Sequence, residues 1–121
     1  MCSAQLVIDR VNAIGMAMQA VQGKFYVGST SGPSWRWVGG LTFRGEEGVP
    51  EYMPGHKLTW KFMYVIGCFQ DDLAAQVETM AIKAAKVYKY NNTNIADDAR
   101  GLAIRPFAYS YVYACTSTEW I

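Results

Sequence analysis

The residues best suited to chemistry are a phenol and a guanidinium close together in sequence, and a carboxylate far from both. In Lys24-Phe25-Tyr26-Val27-Gly28-Ser29-Thr30, Phe25 and Val27 alternate with Lys24 and Tyr26. That alternation predicts a short strand with one apolar face. Gly28, Ser29 and Thr30 break it, and Pro33 stands where a helix can begin. Tyr26 and Arg36 are thereby delivered to one end of a strand–turn–helix corner. A phenol can hydrogen-bond and pass a proton, and a guanidinium forms charge-assisted bonds to anionic oxygens. Such corners are common, so the geometry alone licenses no chemistry.

Glu78 sits on a later helix, expected from the Asp71-Asp72 cap to about Tyr88. Val77, Met80, Ala84 and Val87 form its expected core stripe, with Glu78 next to it. The neighbours of Glu78 along the helix rows are Ala74, Ala75, Ala81 and Ile82, none of them a cation. Flanking alanines leave open space around the carboxylate, as a metal ion would need. On helix pattern alone, an ordinary solvent-facing glutamate is the commoner reading.

Around these residues the chain reads as follows. Residues 5–20 carry two periods: Leu6, Val7, Val11, Ile14 and Met18 at helical spacing, and Ile14, Met16 and Met18 alternating as in a strand. The preferred expectation is a helical or irregular start, then a strand near 13–20 turning at Gly23 onto residues 24–28. Residues 31–38 predict a short helix capped by Ser31 or Gly32 and stopped by Gly39-Gly40. Residues 44–58 are rich in Gly, Pro and charge and read as a surface loop. His56, at its end, would ordinarily be a solvated side chain. Thr59 to Phe69 predicts a long strand buried on most of both faces, and so a central place in a sheet. Asn91 to Asn94 form a turn. Tyr109, Tyr111 and Tyr113 alternate along a last strand, whose aromatic face packs on a core or partner more readily than it stacks bases.

At 121 residues the chain suits a single domain spanning 1–121. The net charge of +1 sets up no global basic field. Cys2, Cys68 and Cys115 are scattered, without metal spacing, and suit free thiols in a reducing compartment. Asp9 and Arg10 interrupt the first apolar run, which argues against a signal peptide or membrane span. The expectation is an intracellular protein, of cytoplasm or nucleus, with no membrane partner.

Tyr26-Val27-Gly28-Ser29-Thr30, followed by Pro33 and Arg36, resembles the second half of the signature of GIY-YIG nucleases. In that family a "Y-[IV]-G-[ST]" strand precedes a helix with a catalytic arginine about ten residues after the tyrosine. Glu78 on a later helix and Asn94-Ile95-Ala96 resemble two further anchors. The position of Glu78 after the corner turns the preference towards the metal-binding reading. The sequence departs from the family twice. The first-strand "GIY" has Gly15-Met16-Ala17 as its nearest candidate, without the tyrosine. Gly39-Gly40 occupy the region where a histidine often follows the arginine, so His56 could replace it only if its loop folds back over the site.

The resemblance implies an α+β domain with a small central mixed or antiparallel sheet flanked by helices, and hydrolysis of a DNA phosphodiester with one divalent metal. Glu78 would bind Mg²⁺ or Mn²⁺, Arg36 would hold a nonbridging oxygen, and Tyr26 would position or deprotonate the attacking water. Asn94 would support that shell, and Gly28 would let backbone approach the phosphate. Lys24, Arg44, Lys57 and Lys61 are candidate phosphate contacts, though each taken alone reads as a solvated face. The leading expectation is a small endonuclease acting on DNA, branched or nicked forms included. Sequence-specific action would need a homodimer or a partner protein. The alternative is the same fold without catalysis, serving as a nucleic-acid- or protein-binding module. A third reading is an unrelated interaction protein dimerising through its tyrosine strand.

Overall fold

The computed structural model describes residues 3–42, 51–97 and 109–120. Ser3 starts the first helix, α1 (Ala4–Val21), by accepting a hydrogen bond from the Leu6 N–H at 3.1 Å. Val7, Val11, Ile14 and Met18 recur at helical spacing and are fully enclosed. The strand expected near 13–20 is therefore helix. Ile14 and Met18 point inward while Met16, between them, is 64% exposed, which suits a period of 3.6 residues and not of two. Gln22 closes the helix in the left-handed region, and the Gly23 N–H reaches the Met18 carbonyl at 2.8 Å.

The chain continues through β1 (Phe25–Thr30), α2 (Pro33–Val38), β2 (Gly39–Thr42), β3 (Glu51–Pro54) and a 3₁₀ turn (His56–Leu58). Then come β4 (Phe62–Gln70), α3 (Asp71–Lys86) and β5 (Tyr109–Thr116). The fold is α+β, with an antiparallel sheet in the order β1-β5-β4 and a separate β2–β3 ladder. The ladder corrects part of the expected 44–58 loop, since residues 51–54 pair with 39–42 and residues 56–58 make the turn. Residues 43–50, including Arg44, lie outside the described residues, as does Cys2.

β5 holds the centre, pairing Thr116 with Phe25 on one side and with Phe62 on the other. The run read as a central strand, β4, lies at an edge of the sheet formed by the described residues, and Val65 on it is half exposed. Two apolar faces on a strand are thus no guide to its place in the sheet. Between Val65 and Gly67 the register slips, and the Ile66 carbonyl at this bulge accepts from Arg10 of α1 at 2.8 Å.

Helices α1 and α3 cover one face of the sheet. Phe25, Val27, Ile66, Phe69, Val112 and Ala114 pack there against the α1 stripe and against Ala74, Val77, Ala81, Ile82 and Ala85 of α3. The expected α3 stripe is therefore displaced: Val77 is inside, but Met80 and Val87 face outward and Ala84 is only partly covered. Alanines bring the helix close to the sheet, and Glu78 lies within the buried stripe, not beside it. Gln70, not the aspartates, is the N-cap residue, while Asp72 Oδ1 accepts from the Leu73 N–H.

α2 follows the sequence closely, with Gly32 as cap, Pro33 at its first position and Gly39 as stop. Gly39 adopts φ 84°, and a side chain there would meet the backbone of Gly55. Beyond α3 the chain returns along the outer edge of β1. The Phe25 N–H donates to the Asn91 carbonyl at 2.8 Å, and the Thr93 N–H to the Phe25 carbonyl at 3.0 Å. Among the described residues no helix is long and apolar enough to cross a membrane.

Candidate functional site

Strand alternation sends Phe25 and Val27 into the helix-covered core and turns Tyr26 and Gly28 to the opposite face. Gly28 is paired with Tyr113 of β5, and the Tyr113 phenol crosses directly over it. A β-carbon at Gly28 would lie 2.6 Å from the Tyr113 hydroxyl. The space that sequence reasoning reserved for a phosphate at Gly28 is filled by this ring, which is 1% exposed.

The Tyr113 hydroxyl joins two residues distant in sequence. Arg36, from the short helix α2, brings its charge to bear on it, and His56 Nε2 lies 2.8 Å from it. The 3₁₀ turn carrying His56 packs against α2, so the segment does fold back over β1 and β5. The His56 ring sits 5.4 Å from that of Tyr113 and 5.5 Å from that of Tyr26. Trp60 completes the cluster at 6.5 Å from Tyr26. Burial, reinforced by the Arg36 charge, pulls the His56 pKa down to about 4. Burial pushes the Tyr113 hydroxyl well above the usual phenol range. Cys115, paired across the strand with Tyr26, is pushed up to about 12 by burial and so stays a thiol, not a nucleophilic thiolate.

Glu78 approaches from the other face. It is 7% exposed, and its Oε1 accepts from the Ser29 hydroxyl at 2.5 Å. Desolvation raises its pKa, while the Ser29 bond acts the other way. Among the described residues no cation pairs with it, and no donor reaches Oε2. No fully buried side-chain oxygen among them lacks a partner, so Oε2 keeps access to solvent.

The two faces meet around the outer edge of β1. Tyr26, Glu78, Ile82, Thr93, Asn94 and Ala96 line a cleft of about 280 Å³ there. Desolvation lifts the Tyr26 pKa most, the Glu78 charge lifts it further, and Arg36 opposes both. Tyr26 is thus the hinge of the constellation, within electrostatic reach of both the carboxylate and the guanidinium. Asn94 borders the same cleft, but its amide is committed to backbone. Its oxygen accepts from the Val27 N–H at 2.9 Å and its nitrogen donates to the Val27 carbonyl at 2.8 Å. It replaces one residue of a neighbouring strand.

The basic residues divide. The Lys24 ammonium is tied to the Tyr90 carbonyl. Lys57 and Lys61 are exposed, Lys57 directly following His56 and Lys61 directly following Trp60. Arg44 lies outside the described residues. Sequence reasoning missed Tyr113 and Ser29 and left His56 aside. The local signals existed, in an alternating tyrosine strand and a lone histidine, but only the β1–β5 register joins them. Among the described residues no three His, Cys, Asp or Glu side chains gather, so any ion at the cleft would rest chiefly on Glu78 and water. No family model, curated protein or solved structure matches the chain.

Proposed function

We propose that the protein is a divalent-metal-dependent DNA endonuclease of GIY-YIG type in which the missing groups of the family pattern are supplied from elsewhere in the chain. The observation that carries this reading is the place of Tyr26, whose ring packs with those of His56 and Tyr113 and feels the Arg36 charge, and which lines one cleft with Glu78 and Asn94. The tyrosine absent from Gly15-Met16-Ala17 has a counterpart in Tyr113, on the strand that pairs directly with β1. His56 takes the place of the histidine absent after Arg36.

The donor set fits a hard cation. Glu78 is a nearly enclosed carboxylate without a cationic partner among the described residues, its Oε2 open to solvent. Mg²⁺ uses few protein carboxylates and keeps several waters. Bound there, it would supply charge to the leaving oxygen and the crowded phosphorane. The Arg36 guanidinium, planar and always charged, offers N–H groups to a nonbridging phosphate oxygen while its charge also acts on Tyr113. Tyr26 is kept protonated at neutral pH, so it orients the attacking water by hydrogen bonding. Asn94 acts through the β1 backbone that carries Tyr26. Lys57 and Lys61 are the exposed cations nearest the ring cluster in sequence and offer phosphate contacts. A second copy or a partner protein would supply any sequence preference.

Nicking of supercoiled and branched DNA with Mg²⁺ or Mn²⁺ tests the reading. Cleavage should fall by about 10²-fold or more in Glu78→Ala and Arg36→Ala, as for loss of one electrostatic stabiliser of a transition state. Absence of cleavage on every substrate, with DNA binding retained, would identify a binding module instead.

A further inference from the structure

The neighbours of His56 fix where its proton lies. The Tyr113 hydroxyl lies 2.8 Å from His56 Nε2 and under the charge of the Arg36 guanidinium. A guanidinium is a cation that only donates, so the hydroxyl turns its oxygen, not its hydrogen, towards Arg36. Tyr113 is 1% exposed, and no buried side-chain polar atom among the described residues lacks a partner. Its hydroxyl hydrogen therefore needs an acceptor, and Arg36 offers none. The acceptor is His56 Nε2, at 2.8 Å. Burial and the Arg36 charge keep the imidazole neutral at pH 7, and a neutral imidazole has a single N–H. It is on Nδ1.

The lone pair that a general base would need is thus already occupied by the Tyr113 hydroxyl. What the ring has left to offer is its N–H. Among the described residues nothing accepts from Nδ1, and that nitrogen is not sealed from solvent. We propose that His56 meets its substrate as a neutral hydrogen-bond donor, presenting Nδ1–H to an anionic phosphate oxygen beside Arg36, and not as a general base. The choice of phosphate rests on the phosphodiester reading above; the tautomer does not. Arg36 then has two tasks, charge towards the substrate and, through Tyr113, orientation of the imidazole.

His56 is the only histidine in the sequence, so its ring nitrogens are unambiguous in long-range ¹⁵N–¹H correlation spectra of tag-free protein at pH 7. Nδ1 should carry the proton, with Nε2 in the unprotonated range, and Tyr113→Phe should lose that fixed pattern. A proton on Nε2 in the unaltered protein overturns the proposal without recourse to any variant. The second arm measures binding of a short single-stranded DNA oligonucleotide in EDTA. His56→Asn keeps an N–H near Nδ1, whereas His56→Gln places its amide near Nε2. The glutamine variant should bind about tenfold more weakly than the asparagine variant, as expected for one hydrogen bond to a charged group. Equal binding by the two variants overturns the donor role and leaves the phosphodiester reading standing. Failure of the unaltered protein to bind DNA overturns both.

Discussion

At neutral pH the surroundings of Tyr26 and His56 keep the phenol protonated and the imidazole uncharged, and the Arg36 charge acts on both. For His56 this arrangement has a consequence for stability. The folded protein holds the ring neutral down to about pH 4, whereas the unfolded chain protonates it near its ordinary value of 6.5. Between these limits the unfolded state binds the extra proton, so stability is complete above pH 6.5 and is lost as pH falls towards 4. Glu78 works in the opposite sense. Its raised pKa makes the folded state the better proton acceptor just above the ordinary carboxylate value, which offsets part of the loss. Comparison with His56→Gln separates the two. Urea unfolding at pH 7 and pH 5 should show the unaltered protein losing about 1–2 kcal/mol more than the variant on acidification, allowing for partial solvent screening. Parallel pH dependences would mean that the ring is not held neutral.

Among the elements, β1 carries Tyr26 but has little sheet on its outer side; residues 91–94 cover that edge in place of a strand. Asn94 is the last tie, its amide closing on both polar groups of Val27. Asn94→Ala should cost about 1–3 kcal/mol by leaving those groups without partners. Amide exchange should quicken at Val27 and not at Val112, which is buried in the central strand. Unchanged exchange at Val27 would show that water replaces the side chain without loss. The elements also mark where sequence reasoning ends. Pro33 and Gly39 delimited α2 because turn chemistry is local. Residues 13–20 satisfied two periods at once, and only the exposure of Met16 separates them. In α3 the large side chains of Met80 and Val87 drew the expected stripe outward, although alanines make the closest approach. Tyr26, Arg36 and Glu78 were legible by type and order. His56 and Tyr113 were not, since their contact depends on a strand pairing that no local pattern encodes.

For the molecule as a whole, the strand that comes last among those described is the one at the centre. β1 and β4 do not pair with each other; each pairs with β5. Phe25 meets Thr116 across about three-quarters of the chain, and closing a loop of roughly ninety residues costs about 4 kcal/mol beyond the constant term. β4 and β5 are closer in sequence, with α3 between them packing on both. The entropy of closure therefore favours assembly of β4, α3 and β5 before β1 docks, with α1 sealing the core. The central strand also presents Tyr113 to Arg36 and His56, so the site and the sheet share one requirement. A chain ending at residue 108 should lack both. It would keep the helical segments α1 and α3 but lose the inter-strand bonds of the three-stranded sheet and the core contacts of Val112 and Ala114. Domains are ordinarily stable by only about 5–15 kcal/mol, a margin that loss of the central strand should remove. Its urea unfolding should be gradual, with no cooperative transition, and a peptide of residues 109–121 added in trans should restore the transition in proportion to its concentration. A truncated chain that still unfolds cooperatively would mean that β1 and β4 find another partner, and that the convergence of Tyr26, Arg36 and His56 does not depend on β5.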